Sequence, residues 1–271
     1  MPIQSIQTSV SSADPIINSN YLRIKFHETT GAAFAYEKKV DGTLSTGSVS
    51  ITGTTTNIWD NPGYMTPADG AGNGTIVTGN PWNDVLDGRL YPSGSLVMLC
   101  RFRAATNPGA VNRGIFQFGS HNATPGGFRV YTSGTNQNIQ VTVQPGSQSA
   151  KTVSLNMVSH LDTEVTFMVA FDGANDLVSV GLNGDWAGSD DDAMGGEMPG
   201  AWTSTWGTTI FSYASSGPTV STPMNSGAGE LYRIGDMMFL GFTSDWSANF
   251  AKLCSQYHNA PLELPRVLDG A

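Results

Sequence analysis

Thirteen short runs of alternating apolar and polar residues, parted by Gly, Pro, Asn and Ser, leave this chain few ways to fold. They fall at 21–27, 32–37, 48–52, 75–78, 95–103, 114–118, 127–132, 138–143, 151–156, 163–171, 176–183, 208–213 and 230–242. A period of two places successive side chains on opposite faces of a strand, so each run predicts a strand with one buried face. The breaks carry turn chemistry. Asp41-Gly42, Asp172-Gly173 and Asn183-Gly184 supply residues that tolerate positive φ. One segment follows a different period. Phe250, Leu253, Cys254 and Tyr257 stand at i, i+3, i+4 and i+7 and predict a helix over Ser247–Tyr257 that lays an apolar stripe on a sheet. Ser247 is the expected cap of its first turn, and Trp246 the residue that staples its start. The pattern gives an all-β fold: a two-sheet antiparallel jelly-roll sandwich with one short C-terminal helix. The polar opening and the strands after it, residues 1–40, read as an N-terminal arm or extension, and 41–271 as the sandwich domain.

Charge narrows the function classes. The 13 basic and 22 acidic residues leave a net charge of −9, and charged residues make up only 13% of the chain. Nucleic-acid binding needs a basic stripe, and Arg101 with Arg103 is the densest basic pair. No run approaches the roughly 18 apolar residues of a membrane span. The first twenty residues lack the basic and apolar regions of a secretory signal, so a chain made in a cytoplasm is expected. Cys100 and Cys254 are too few for a disulfide framework. They read as two buried free thiols, with a single bridge as the alternative.

Residues 160–188, HLDTEVTFMVAFDGANDLVSVGLNGDWAG, resemble the central hairpin of the concanavalin A-like lectin/glucanase sandwiches of the laminin G-like type. Val169-Ala170-Phe171-Asp172-Gly173 matches that family's first turn, and Val180 to Gly184 its second. The stretches 94–104, 113–120 and 229–259 are similar to further strands of the family. Gly181-Leu182 stands where the family usually has a tyrosine before the Asn-Gly turn. The resemblance implies a concanavalin A-like sandwich over roughly 80–260 and leaves function open.

The glucanases of this fold carry an E-x-D-x-E strand, whose outer carboxylates share a face. This chain has no such run, no H-x-H or H-x-x-x-H pair, and no nucleophile elbow. A non-enzyme is therefore expected, with a divergent glycosidase as a weaker alternative. Asp190, Asp191 and Asp192 form the densest acidic cluster, and the resemblance makes them candidate Ca²⁺ ligands, against a reading as a solvated acidic loop. Trp59, Tyr64, Trp82, Trp186, Trp202 and Trp206 fall in or beside loops and are the candidate ligand- or partner-binding residues. A lectin-like sandwich, a weakly charged Gly-, Ser-, Thr- and Asn-rich composition and the missing signal lead to one expectation: a bacteriophage virion surface protein. It would be a capsid decoration (cement) protein or a fibre-type attachment module, in contact with other virion proteins, with itself as a homo-oligomer (a trimer as a guess), or with a host surface glycan. The alternative is a carbohydrate-binding lectin module assisted by Ca²⁺.

Overall fold

The structure, a computed structural model, describes residues 20–26, 33–52, 58–60, 64–66, 75–76, 81–86, 93–104, 113–119, 126–133, 138–144, 149–190, 208–210, 212–213, 222–223 and 233–259. In chain order the first strands are β1 (Asn20–Ile24), β2 (Ala33–Val40), β3 (Thr43–Thr52), β4 (Ile58–Asp60), β5 (Tyr64–Thr66) and β6 (Thr75–Ile76). After a single helical turn, α1 (Asn83–Leu86), come β7 (Ser95–Arg103), β8 (Arg113–Gly119), β9 (Gly127–Ser133), β10 (Asn138–Gln144) and β11 (Lys151–Asn156). The last strands are β12 (Glu164–Asp172), β13 (Leu177–Leu182), β14 (Asp185–Asp190), β15 (Thr208–Ile210), β16 (Ser212–Tyr213), β17 (Thr222–Pro223) and β18 (Arg233–Phe242), ahead of helix α2 (Phe250–Asn259).

Every pairing among them is antiparallel. The larger sheet runs β3-β2-β1-β18-β7-β12-β13-β14. The smaller one runs β6-β15-β8-β9-β10-β11. Strand β3 belongs to both, pairing with β2 up to Ser50 and with β6 through Ile51 and Thr52. This is the expected all-β two-sheet sandwich. The two sheets meet through aromatic rings: Phe116 lies 4.8 Å from Phe239, and Phe128 lies 4.7 Å from Phe171, centroid to centroid.

Period-two alternation explains the layering. On β7, Met98, Cys100 and Phe102 face the inter-sheet core, while Val97 and Leu99 face outward. The outward set is also buried, because α2 lies over it with Phe250, Leu253, Cys254 and Tyr257. The larger sheet is thus covered on both faces, which is why its central strands are apolar almost throughout. Ser247–Asn249 form a 3-10 turn, and the α-helix starts after it at Phe250, three residues later than expected. Trp246 rather than Ser247 stands at the N-cap of that turn, with no side-chain cap, and the Ser247 N–H donates to Asp245 Oδ1 at 2.8 Å. That bond holds the Asp245 carboxyl below its ordinary range. Trp246 is buried and stacks on Phe242 at 4.4 Å. Cys100 and Cys254 are both buried and free.

Two expectations change. Residues 20–40 are not an extension: β1 lies between β2 and β18 in the larger sheet, with Tyr21, Leu22 and Ile24 fully buried. A boundary at residue 40 would cut the β2–β3 hairpin at its Asp41-Gly42 turn, where both residues have positive φ. Residues 1–19 lie outside the described residues. Asp190 of the acidic cluster, read as loop, instead ends strand β14, which a two-residue Asn183-Gly184 turn joins to β13.

Candidate functional site

Two surfaces concentrate polar chemistry, on opposite sides of the sandwich. The first is the outer face of the smaller sheet. Strands β9 and β10 turn Phe128, Val130, Ile139, Val141 and Val143 into the core, so the alternate residues face outward. Register then aligns them in rows. Gln117, Arg129, Thr142 and Thr152 stand opposite one another across β8, β9, β10 and β11. Tyr131, Gln140 and Ser154 form the next row, with Gly114 at its β8 end.

The rows are cross-linked. Thr142 Oγ1 donates to Tyr131 Oη at 3.4 Å and lies 3.1 Å from Thr152 Oγ1. Gln140 Nε2 donates to Ser154 Oγ at 3.2 Å. Gln117 Nε2 donates to the Gly119 carbonyl at 2.9 Å. The Arg129 guanidinium lies 4.5 Å above the Tyr131 ring, so the arginine rather than the ring faces outward there. Exposure is graded: Thr152 and Ser154 are exposed, Gln140 and Arg129 half-buried, Tyr131 and Thr142 buried and Gln117 fully buried. Burial therefore increases from β11 toward β8, against which β16 and β17 pack. Arg129 is the one charged side chain in the two rows.

The second surface is a recess of about 190 Å³ lined by Arg103, Asp162, Glu164 and Arg233. Register builds it: Arg103 on β7 stands opposite both Glu164 on β12 and Arg233 on β18. Asp162 reaches it from a turn in which it has a φ of 60° and donates its N–H to the Ala104 carbonyl at 2.9 Å. Arg103 pairs with Asp162 at 3.8 Å, and Arg101 with Glu164 at 3.7 Å. Burial pushes the Glu164 carboxyl above its usual range.

A buried ion pair lies near the recess, its carboxylate within electrostatic reach of Arg101. Arg23 Nε donates to Asp236 Oδ1 at 2.9 Å, and both side chains are buried. Tyr257 Oη on α2 donates to the Asp236 carbonyl at 2.9 Å. Desolvation raises the Asp236 carboxyl pKa against the pull of Arg23.

The predicted site residues fare unevenly. Trp82 is a core residue, not a loop ligand: it is fully buried, with its ring 6.0 Å from Phe116 and 6.1 Å from Phe239. Its carbonyl starts α1 by accepting the N–H groups of Val85 and Leu86. Trp186 is half-buried and packs its ring 5.5 Å from Phe250 of α2. Trp59 and Tyr64 lie on the paired strands β4 and β5, one register step apart. Asp190 is the last residue of β14. Trp202, Trp206, Asp191 and Asp192 lie outside the described residues. Among the described residues no cluster of three or more His, Cys, Asp or Glu side chains is arranged to hold a metal, and no helix is long and apolar enough to cross a membrane. The polar rows were missed because each strand alone shows only ordinary alternation. Arg129, Tyr131, Gln140 and Thr142 carry the period-two signal, but their alignment depends on register.

No protein-family model matches the chain, and no curated protein matches it in sequence. Solved structures do resemble it. The binding domain of botulinum neurotoxin DC, solved with rat synaptotagmin II, matches with a TM-score of 0.55 at 11% identity, over 90% of this chain and 52% of that one. The binding domain of botulinum neurotoxin serotype G gives 0.54 at 11% identity, over 89% and 50%. A structure of botulinum neurotoxin type C, whose cell entry depends on interaction with two ganglioside molecules, gives 0.53 at 11%, over 90% and 52%. This chain spans about half the length of those it matches. The similarity is one of fold: like those structures, the chain is a β-sandwich.

Proposed function

We propose that the chain is a non-catalytic attachment module that takes a hydroxyl-rich glycan on the outer face of the smaller sheet. The observation that carries this is the pair of cross-strand rows, whose accessible members are Arg129 and Thr152 in one and Gln140 and Ser154 in the other, backed by the buried Thr142 and Tyr131. Sugar hydroxyls donate and accept at once. Amide and hydroxyl side chains return both roles, and neutral groups carry a smaller desolvation cost than charges. The hydrogen bonds within the rows hold those side chains in place before a ligand arrives, which lowers the ordering cost of binding. Similarity to toxin binding domains, one of them a ganglioside-dependent toxin, agrees with attachment as the role.

The non-catalytic part of the reading rests on the missing E-x-D-x-E run and on the engagement of Asp162 and Glu164 with arginines. The setting we propose is a virion surface. Its support is the chain's composition, with only 13% charged residues on a β-sandwich; charge is costly to bury between neighbouring subunits. Neighbouring genes for a major capsid, portal or tail protein would support that setting, and a neighbourhood without them would count against it.

The glycan reading is tested on an array with and without Ca²⁺. Binding by the wild-type chain that falls at least tenfold in Gln140→Ala and Arg129→Ala variants of unchanged melting temperature is the expected result. A blank array, or variants that bind as the wild type does, overturns it. Release of reducing sugar from any bound glycan overturns the non-catalytic part.

A further inference from the structure

We infer that the glycan taken on the outer face of the smaller sheet is an acidic one, with a carboxylate on alternate sugars. This rests on the glycan reading of that face and names the class of ligand it holds.

Charge divides the sandwich. Acidic residues outnumber basic ones by 22 to 13 in the chain, yet none falls between Asp87 and Asp162. That stretch supplies β8, β9, β10 and β11. Strands β6 and β15 add only Thr and Ile, so the smaller sheet has no carboxylate side chain of its own. It does carry Arg113, Arg129 and Lys151. Every Asp and Glu of the described strands lies in the larger sheet or in the β4–β5 hairpin attached to it. The field over a face sums many charges, so it does not require any one arginine to be unpaired. An anionic chain is drawn to the smaller sheet and repelled by the remainder of the molecule, which holds the negative excess.

Register sets the spacing of the charges. Arg129 shares a row with Thr152 across β10, and Lys151 is the neighbour of Thr152 along β11. Two strand spacings and one residue step place their Cα atoms about 10 Å apart. That is the length of a disaccharide rather than of one sugar. The accessible groups around them, Thr152, Gln140 and Ser154, are neutral and both donate and accept, as sugar hydroxyls do. The Arg129 fork suits the two oxygens of a carboxylate, and Lys151 is an exposed ammonium on a flexible stem. Positive charges this sparse do not match nucleic acid, where every phosphate is charged.

Calorimetric titration of the full chain with two octasaccharides tests the inference. One is hyaluronan, in which glucuronate alternates with an uncharged sugar; the other is the same chain with its carboxyls reduced to alcohols. The acidic form is expected to bind at least tenfold more tightly, and its advantage to shrink as salt is added. Arg129→Gln and Lys151→Glu are each expected to weaken the acidic form at least tenfold. Lys151 is exposed, so its variant serves if Arg129→Gln folds poorly. Lys252→Glu makes the same charge change on an exposed residue of α2, over the larger sheet, and is expected to leave binding within twofold. Equal binding of the two octasaccharides, or equal losses in Lys252→Glu and Lys151→Glu, overturns the acidic ligand and leaves the glycan reading standing. Acidic binding unchanged in Arg129→Gln and Lys151→Glu overturns the placement on this face. A blank array together with no binding of either octasaccharide overturns the glycan reading itself.

Discussion

Arg23 and Asp236 meet in the interior although 213 positions separate them in the chain. Neither has an apolar reason to be there. The register of β18 shifts between Ile234 and Met237, and that irregularity lets both residues join the inter-sheet core despite their odd spacing. Asp236 faces the other way, with Met238, toward α2, where Arg23 on the Tyr21 face of β1 meets it, and it is fully buried. A buried pair of this kind adds little net stability, because desolvating two charges offsets their attraction. The raised Asp236 pKa says the same: burial weighs more there than the arginine does. Removing one partner is different, since the other charge is then stranded. Arg23→Met or Asp236→Leu alone is expected to cost about 3–5 kcal/mol, and the double variant to recover most of that loss. Urea denaturation of the four proteins checks it; a double variant as unstable as the sum of the singles would contradict the pairing.

At the scale of elements, the β13–β14 hairpin shows how a sequence signal and a tertiary demand coincide. Asn183 and Gly184 both have positive φ, as a two-residue turn requires. The same asparagine reaches sideways: its N–H donates to the Thr166 carbonyl at 2.8 Å, and its Oδ1 accepts the Thr166 N–H at 3.0 Å. The turn is thereby tied to β12. Two residues earlier, Gly181 stands where the resembled family has a tyrosine neighbourhood, and α2 supplies the reason. A Cβ there would lie 2.7 Å from Cys254 Sγ and 2.8 Å from Trp186 Cε3. Gly181→Ala is therefore expected to cost about 1–3 kcal/mol through overpacking, read as a lower denaturation midpoint with an unchanged slope. The helix itself was legible from its apolar spacing. The partner of that stripe was not, because nothing local says which strands present Val97, Leu99, Met168 and Leu240 beneath it.

At the scale of the molecule, strand order separates neighbours in sequence and unites its ends. β1 and β18 are adjacent, and β1 carries the larger sheet across to β2 and β3. A chain beginning at residue 41 thus loses two inner strands and the buried Tyr21, Leu22, Ile24 and Phe34. We expect it to show no cooperative thermal transition, by circular dichroism, where the full chain shows one. A cooperative melt would restore the boundary at 40. The same order places the two polar surfaces on opposite sides of the sandwich.

Local periodicity determined that the chain is all-β, where most strands lie, which turns are tight and that one helix closes it. Those properties depend on neighbours a few residues apart, and φ, ψ and side-chain alternation are local. The absence of a paired-carboxylate strand was equally plain. Register, layer and burial were decided only in three dimensions. Whether Trp82 is a ligand or a core ring, whether residues 20–40 are an arm or the middle of a sheet, and whether Arg103 faces water or Arg233 all depend on strands far apart in sequence. A shift of one residue in any of those pairings would exchange the faces, and only the packing of the two sheets and α2 forbids it.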